Sequence, residues 1–200
     1  MSTREEMLAR MRHSQPAPVA MPELPAFARG DAAAAADFEA FAEALQRMGG
    51  KIAPAPSGGH IEASVRSLFP DARVICSATP EVRGTRPLDA AQPPAALDDV
   101  DVGVVRAAFG VAETGSVLLT EAELGVEALG FLAQHLVVLL DPAQIVPTLH
   151  DAYRDPAFNT ARYAILMTGP SATADIEGVL IHGAQGIRSL VLLPCPATAG

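Results

Sequence analysis

The most strongly apolar uninterrupted run in this chain is Leu136-Val137-Val138-Leu139-Leu140, and Asp141-Pro142 closes it. Even with its flanks it falls far short of the roughly 20 apolar residues a helix needs to cross a bilayer, so it reads as a strand beginning at His135. Short strand-like runs recur at 73–76, 109–112, 117–119, 163–167 and 189–193, with helical spacing in several of the intervals. Strands separated by helices predict a layered α/β domain on a mostly parallel sheet, with helices on both faces and at least one hairpin. A chain of 200 residues, half of them hydrophobic, is long enough for one well-developed core.

The intervening text supplies the helices. Ser2 and Glu5 have capping-box spacing ahead of Met7, Leu8 and Met11, which predicts a short first helix. Pro16, Pro18, Pro22 and Pro25 make residues 15–25 an extended connector. Residues 1–30 are therefore expected to be a helix and Pro-rich arm, and 31–200 the α/β domain. In that domain Asp31 is expected to cap a helix carrying Phe38, Phe41, Leu45 and Met48 on one face and stopped by Gly49-Gly50. Ser57 is expected to cap another, with Ile61, Val65 and Leu68, ended by Pro70. Residues 79–99 read as a surface excursion with a turn of helix near Ala95. Pro147 suits the first turn of a helix through Tyr153, and a last helix is expected over about 173–182.

Charge and cysteine content narrow the function. A net charge of −9 without a basic run disfavours nucleic acid as a partner. The amino terminus carries Arg4, Glu5, Glu6, Arg10 and Arg12 in place of the apolar stretch of a secretory signal, so a cytoplasmic location and no membrane insertion are expected. Cys76 and Cys195 are far apart and have no neighbouring cysteine, so neither a redox pair nor an iron–sulfur ligand set can be assembled from this chain alone. No cofactor is expected on it, and any cluster belongs to a partner.

Two segments carry candidate chemistry. Glu113-Thr114-Gly115-Ser116 sits between two apolar runs whose spacing predicts strand, tight turn and strand. Glu113 at a strand end can serve as base or nucleophile where partial burial raises its pKa; the plainer alternative is a polar hairpin turn facing water. In the second, Gly169, Ser171, Thr173, Asp175 and Glu177 follow a strand and open the expected helix, whose free N–H groups suit a small anion or ordinary capping. His182 lies seven residues beyond Asp175, near two helical turns, so both can look to one side, but the spacing matches no dedicated metal motif and no metal is expected. Gly183 and Gly186 bracket the turn before the final strand.

The stretches 109–119 and 169–186, in that order, resemble the lactate utilization protein C family, also called LutC/YkgG, with its LUD domain; 135–138 and 145–149 resemble it as well. The resemblance implies a fold like that of sugar-phosphate isomerases and CoA transferases (NagB/RpiA-like), and a role in oxidation of L-lactate to pyruvate beside two iron–sulfur partners, one cysteine-rich and one ferredoxin-like. Carried over by position, its signature falls on Glu113, Thr114, Gly115 and Ser116, and on Gly169, Ser171, Thr173, Asp175, Glu177, His182 and Gly186. Residues 127–135 depart from the family's usual basic and Leu-Pro-Pro-like approach to the His-containing strand, and the amino-terminal region is shorter. The leading expectation is a non-cluster component of lactate oxidation with Glu113 and Ser171 in one cleft. The alternatives are an assembly or regulatory subunit, and an independent isomerase- or acyl-transferase-like enzyme.

Overall fold

The computed structural model describes residues 3–20, 22, 37–56, 58, 60–175 and 178–197. The chain separates into two units, residues 1–31 and 32–200. The first holds helix α1 (Thr3–His13), with Glu5 and Glu6 in its first turn and Arg10, Arg12 and His13 in its last, and it buries none of its residues. That charge order complements the helix dipole. Ser2, its expected cap, lies outside the described residues.

The second unit runs α2 (Phe38–Arg47), β1 (Lys51–Ile52), α3 (Ile61–Leu68), β2 (Ile75–Ser77), β3 (Arg86–Pro87), a 3₁₀ turn at Pro94–Leu97, β4 (Val102–Arg106), β5 (Phe109–Val111) and β6 (Ser116–Thr120). It continues through α4 (Glu121–Leu124), α5 (Leu129–Leu132), β7 (His135–Leu140), β8 (Ile145–Val146), α6 (Leu149–Ala152), α7 (Pro156–Thr160), β9 (Ala164–Met167), β10 (Ala172–Thr173), β11 (Ile181–His182) and β12 (Ser189–Pro194). The larger sheet is six-stranded and wholly parallel, in the order β1-β12-β7-β4-β2-β3. A second sheet, β8-β5-β6-β9, contains the expected hairpin β5–β6. The α/β class and the parallel sheet are as the sequence predicts.

Alternation along the strands sorts the core into layers. Val102, Val104, Val137, Leu139, Val191 and Leu193 face α3, meeting Ile61 and Val65. The residues between them, among them Val105, Leu136, Val138, Leu140, Leu190 and Leu192, face the other way, onto Phe41 and Leu45 of α2, Leu129 of α5, and Val117 and Leu119 of β6. The outer side of the second sheet, with Phe109, Val111 and Leu118, is covered by Leu149 and Ala152 of α6 and Phe158 of α7. Each fully buried leucine or valine contributes about 1.5–3 kcal/mol of transfer free energy, which is why the buried stretches 136–140 and 190–193 carry no polar residue. No helix among the described residues is long and apolar enough to cross a membrane.

Several local expectations are corrected. Helix α2 is capped by Asp37, whose Oδ1 accepts the Ala40 N–H at 2.7 Å; Asp31 lies outside the described residues, and the cap must stand directly before the first helical turn. Helix α3 follows His60 without a side-chain cap, and Ser57 is also outside the described residues. Around Pro147 the chain is β8 and then α6, capped by Thr148. The expected helix over about 173–182 is instead the antiparallel pair β10–β11. Strand pairing replaces it, Ala172 opposite His182 and Thr173 opposite Ile181. Strand β4, at the centre of the parallel sheet, went unread in the sequence because Asp98, Asp99, Asp101 and Gly103 break its apolar pattern. Asp101 is there to close the strand edge, its Oδ2 accepting the N–H groups of Arg73 at 2.7 Å and Val74 at 2.9 Å.

Candidate functional site

The two signature segments meet, through hydroxyls and glycines. Thr114 Oγ1 and Ser116 Oγ lie 2.8 Å apart, and Ser116 Oγ is also bonded to Thr168 Oγ1 at the end of β9. Ser116 is buried, so this chain of three hydroxyls keeps a buried polar group satisfied while tying hairpin β5–β6 to the start of the second segment. Gly115 stands against helix α2: a Cβ on it would fall 2.1 Å from the Leu45 backbone nitrogen. On Gly169 a Cβ would fall 2.3 Å from the Met48 carbonyl oxygen, at the end of the same helix. Ser171 is held by its backbone, donating to the Ile187 carbonyl at 2.9 Å and accepting from the Gly183 N–H at 2.7 Å. A Cβ on Gly186 would lie 3.2 Å from that of Ser171.

Glu113 points elsewhere. It is exposed, and its Oε2 accepts the Leu149 N–H at 2.9 Å, so the carboxylate closes the start of α6. Gly169, Ser171 and Gly186 line an apolar cleft of about 490 Å³ between α5 and edge strand β9, floored by Phe131, Leu132 and Met167; Glu113 is not among its walls. The expected shared cleft of Glu113 and Ser171 is therefore not formed, because the hairpin turn directs the carboxylate toward α6. Asp175 and His182 are exposed on the β10–β11 arm, with no helix to align them, and Glu177 lies outside the described residues.

A different set of polar groups converges at the carboxyl ends of the parallel strands. From β2 the chain moves outward to β3, and from β4 it leaves in the opposite direction toward β7 and β12. Such a reversal opens a crevice between the two strand ends, the usual place for a ligand in an open parallel sheet. Here it has a volume of about 580 Å³ and is lined from one side by Thr79 and Glu81, beyond β2, and from the other by Arg106, the last residue of β4. Arg106 Nε donates to Glu81 Oε1 at 2.6 Å, Nη1 to the Cys195 carbonyl at 3.0 Å, and Nη2 contacts Cys195 Sγ at 3.4 Å. Glu81 Oε2 in turn accepts from the Thr79 hydroxyl. Both members of the ion pair are largely buried, with side-chain exposures of 21% for Arg106 and 13% for Glu81. Burial works against the guanidinium's charge, but the bonds with Cys195 and Glu81 outweigh it and hold its pKa above the ordinary value. The sequence signal for this site was a lone Arg closing a Val-rich run, legible only once that run is known to be a central strand.

The architecture is that of a parallel-sheet α/β domain with its polar crevice at a topological switch point. A profile of the LUD domain matches residues 89–193, just over half of the chain, and the chain belongs to the LUD-domain family. It is 31% identical over 102 residues to the lactate utilization protein C of Deinococcus radiodurans, a stretch covering 50% of this chain and 48% of that protein. It is 30% identical over 98 residues to an uncharacterized protein of Neisseria meningitidis serogroup B, covering 48% and 42% respectively. The matched stretches thus span less than half the length of these curated relatives. The crystal structure of a DUF162 family protein from Deinococcus radiodurans shares the fold, with a TM-score of 0.62 at 18% identity, over 78% of this chain and 94% of that one.

Proposed function

We propose that this chain is a component of lactate utilization, acting in the cytoplasm in oxidation of L-lactate to pyruvate beside iron–sulfur partners, one cysteine-rich and one ferredoxin-like. Membership of the LUD-domain family and the relative named for lactate utilization support the general role. The observation that carries the finer reading is the Arg106–Glu81 crevice at the carboxyl ends of the sheet, where a largely buried guanidinium offers a place for the carboxylate of a small acid. Electrons are assigned to the partners because Cys76 on β2 and Cys195 after β12 are single buried thiols, and a cluster needs about four cysteine ligands. Thr114, Gly115, Ser116, Gly169 and Gly186 serve to frame the domain, and Glu113 to close α6. The test is anaerobic lactate oxidation by the two partner subunits with and without this chain. Activity that depends on the chain supports the reading; full activity without it, in an assay where both partners are shown loaded with clusters, refutes it.

A second reading, an assembly subunit without chemistry, is favoured by α1, an 11-residue helix with no fully buried residue and hence one that a partner can cover. Residues 1–30 then act as an arm separate from the domain at 31–200. Co-purification with partners after removal of residues 1–25 separates the two: loss of the complex supports the arm's role, and an unchanged complex removes it.

A further inference from the structure

We infer that the crevice between β2 and β4 is a binding site for a short 2-hydroxy or 2-oxo monocarboxylate, and that Glu81 occupies it in the ligand's absence as a built-in carboxylate. The inference rests on the proposed role in lactate utilization only for the choice of acid; the site itself follows from the geometry.

A guanidinium matches a carboxylate with two parallel N–H bonds, and among the described residues lining this crevice Arg106 is the only cation. Its present partners are unequal. Nε is bonded to Glu81 and Nη1 to a carbonyl, whereas Nη2 has only the 3.4 Å contact with sulfur, a weak acceptor. A largely buried ion pair is no better for stability than apolar residues of the same volume, so this pair is poorly explained as a structural brace. The remaining walls are small. Ala78, Ala107, Ala108, Ala122 and Ala197 face the crevice, leaving room lined by methyl groups for a chain of three or four carbons. Glu123, the other acid in the wall, is turned back to its own helix, where it accepts the Thr120 N–H at 2.9 Å.

Exchange then needs one movement. Glu81 sits on the loop beyond β2, and its side chain rotates away as the ligand's carboxylate takes the Arg106 fork. That movement releases the Thr79 hydroxyl, now bonded to Glu81, to donate to the ligand's C2 oxygen. No bond is made or broken in the ligand.

The full-length chain is titrated by calorimetry and by NMR with sodium L-lactate, pyruvate and propionate, against sodium chloride at matched ionic strength. L-lactate and pyruvate are expected to bind more tightly than propionate, and Thr79→Val to abolish that preference. Glu81→Gln, which removes the competing charge, is expected to tighten binding at least threefold, and Arg106→Met to weaken it more than tenfold. Should Arg106→Met not fold, Ala122→Leu fills the crevice without touching the ion pair and is expected to abolish binding. The inference is overturned if the wild-type chain binds none of the acids at tens of millimolar, if Glu81→Gln weakens binding, or if the folded Arg106 or Ala122 variant binds as well as wild type. Binding that follows this pattern while the partner assay ignores the chain sinks the lactate-oxidation role and keeps the site; a chain-dependent assay without binding sinks the site and keeps the role.

Discussion

Gly115→Ala and Gly178→Ala form a matched pair that separates backbone strain from packing. Both glycines have left-handed backbone, φ 67° at Gly115 and 69° at Gly178, so an alanine at either position meets a similar conformational penalty of about 1–2 kcal/mol, offset in part by lower entropy of the unfolded chain. Their surroundings differ. An alanine Cβ at 178 has nothing among the described residues within 4 Å, whereas at 115 it falls 2.1 Å from Leu45 N and 2.5 Å from Leu45 Cα, backbone atoms of a helix that is itself anchored by buried Phe41 and Leu45. Only a shift of α2 against the hairpin relieves that overlap, and overpacking of this kind costs about 1–3 kcal/mol more. Gly178→Ala is thus expected to lose about 1 kcal/mol, and Gly115→Ala about 2–4 kcal/mol. In urea unfolding followed by circular dichroism, both variants should keep the wild-type slope while the midpoint of Gly115→Ala falls much further. In a domain of this size each kcal/mol corresponds to about 2–4 °C in Tm, so a thermal scan reads the same difference. Equal losses for the two variants would refute the claim that α2 is seated on the signature glycine.

Three further outcomes test other parts of the structure. Leu136→Ala, at a fully buried site on the middle of the parallel sheet, should destabilise by about 2–5 kcal/mol through lost burial and the cavity left behind, read as the urea midpoint. Thr168→Val removes one member of the hydroxyl chain while Ser116 keeps Thr114; a loss of about 1–2 kcal/mol is expected, and a neutral result would mean the chain does not join the two segments. His135 stacks on Phe69 with ring centroids 4.8 Å apart and shares an Nδ1–Oγ hydrogen bond of 2.8 Å with Ser189. Burial, then the charges of Arg188 and Lys51, partly opposed by Asp101, hold its pKa below the ordinary 6.5. The unfolded chain therefore takes up this proton first, so the contribution is present above pH 6.5 and is lost as pH falls through the lowered value. His135→Asn should flatten that part of the stability profile between pH 7.5 and 5, and an unchanged slope would refute the assignment.

Much of the fold is local enough to be legible in the residues. Apolar runs such as 135–140 and 189–193 declare buried strands because both faces of a central parallel strand must be apolar, and the turn at Glu113–Ser116 follows from glycine between two such runs. Helices α2 and α3 are written in their spacing, although the cap of α2 falls at Asp37. The arm at 172–182 is a hairpin where its residues suit a helix or a hairpin equally, and strand pairing decides between them. The sequence by itself therefore determined the α/β class and the strands β2, β5, β6, β7, β9 and β12, and it singled out Gly115, Ser116 and Gly169 without showing that they meet. Only the tertiary structure decided that Val102–Arg106 is a central strand beside β2, that the chain reverses direction there, and that Glu81 and Arg106, 25 residues apart, face each other at 2.6 Å. Neither residue belongs to a motif; what makes them a pair is strand order, which is set by long-range burial and leaves no periodic mark on the residues at strand ends.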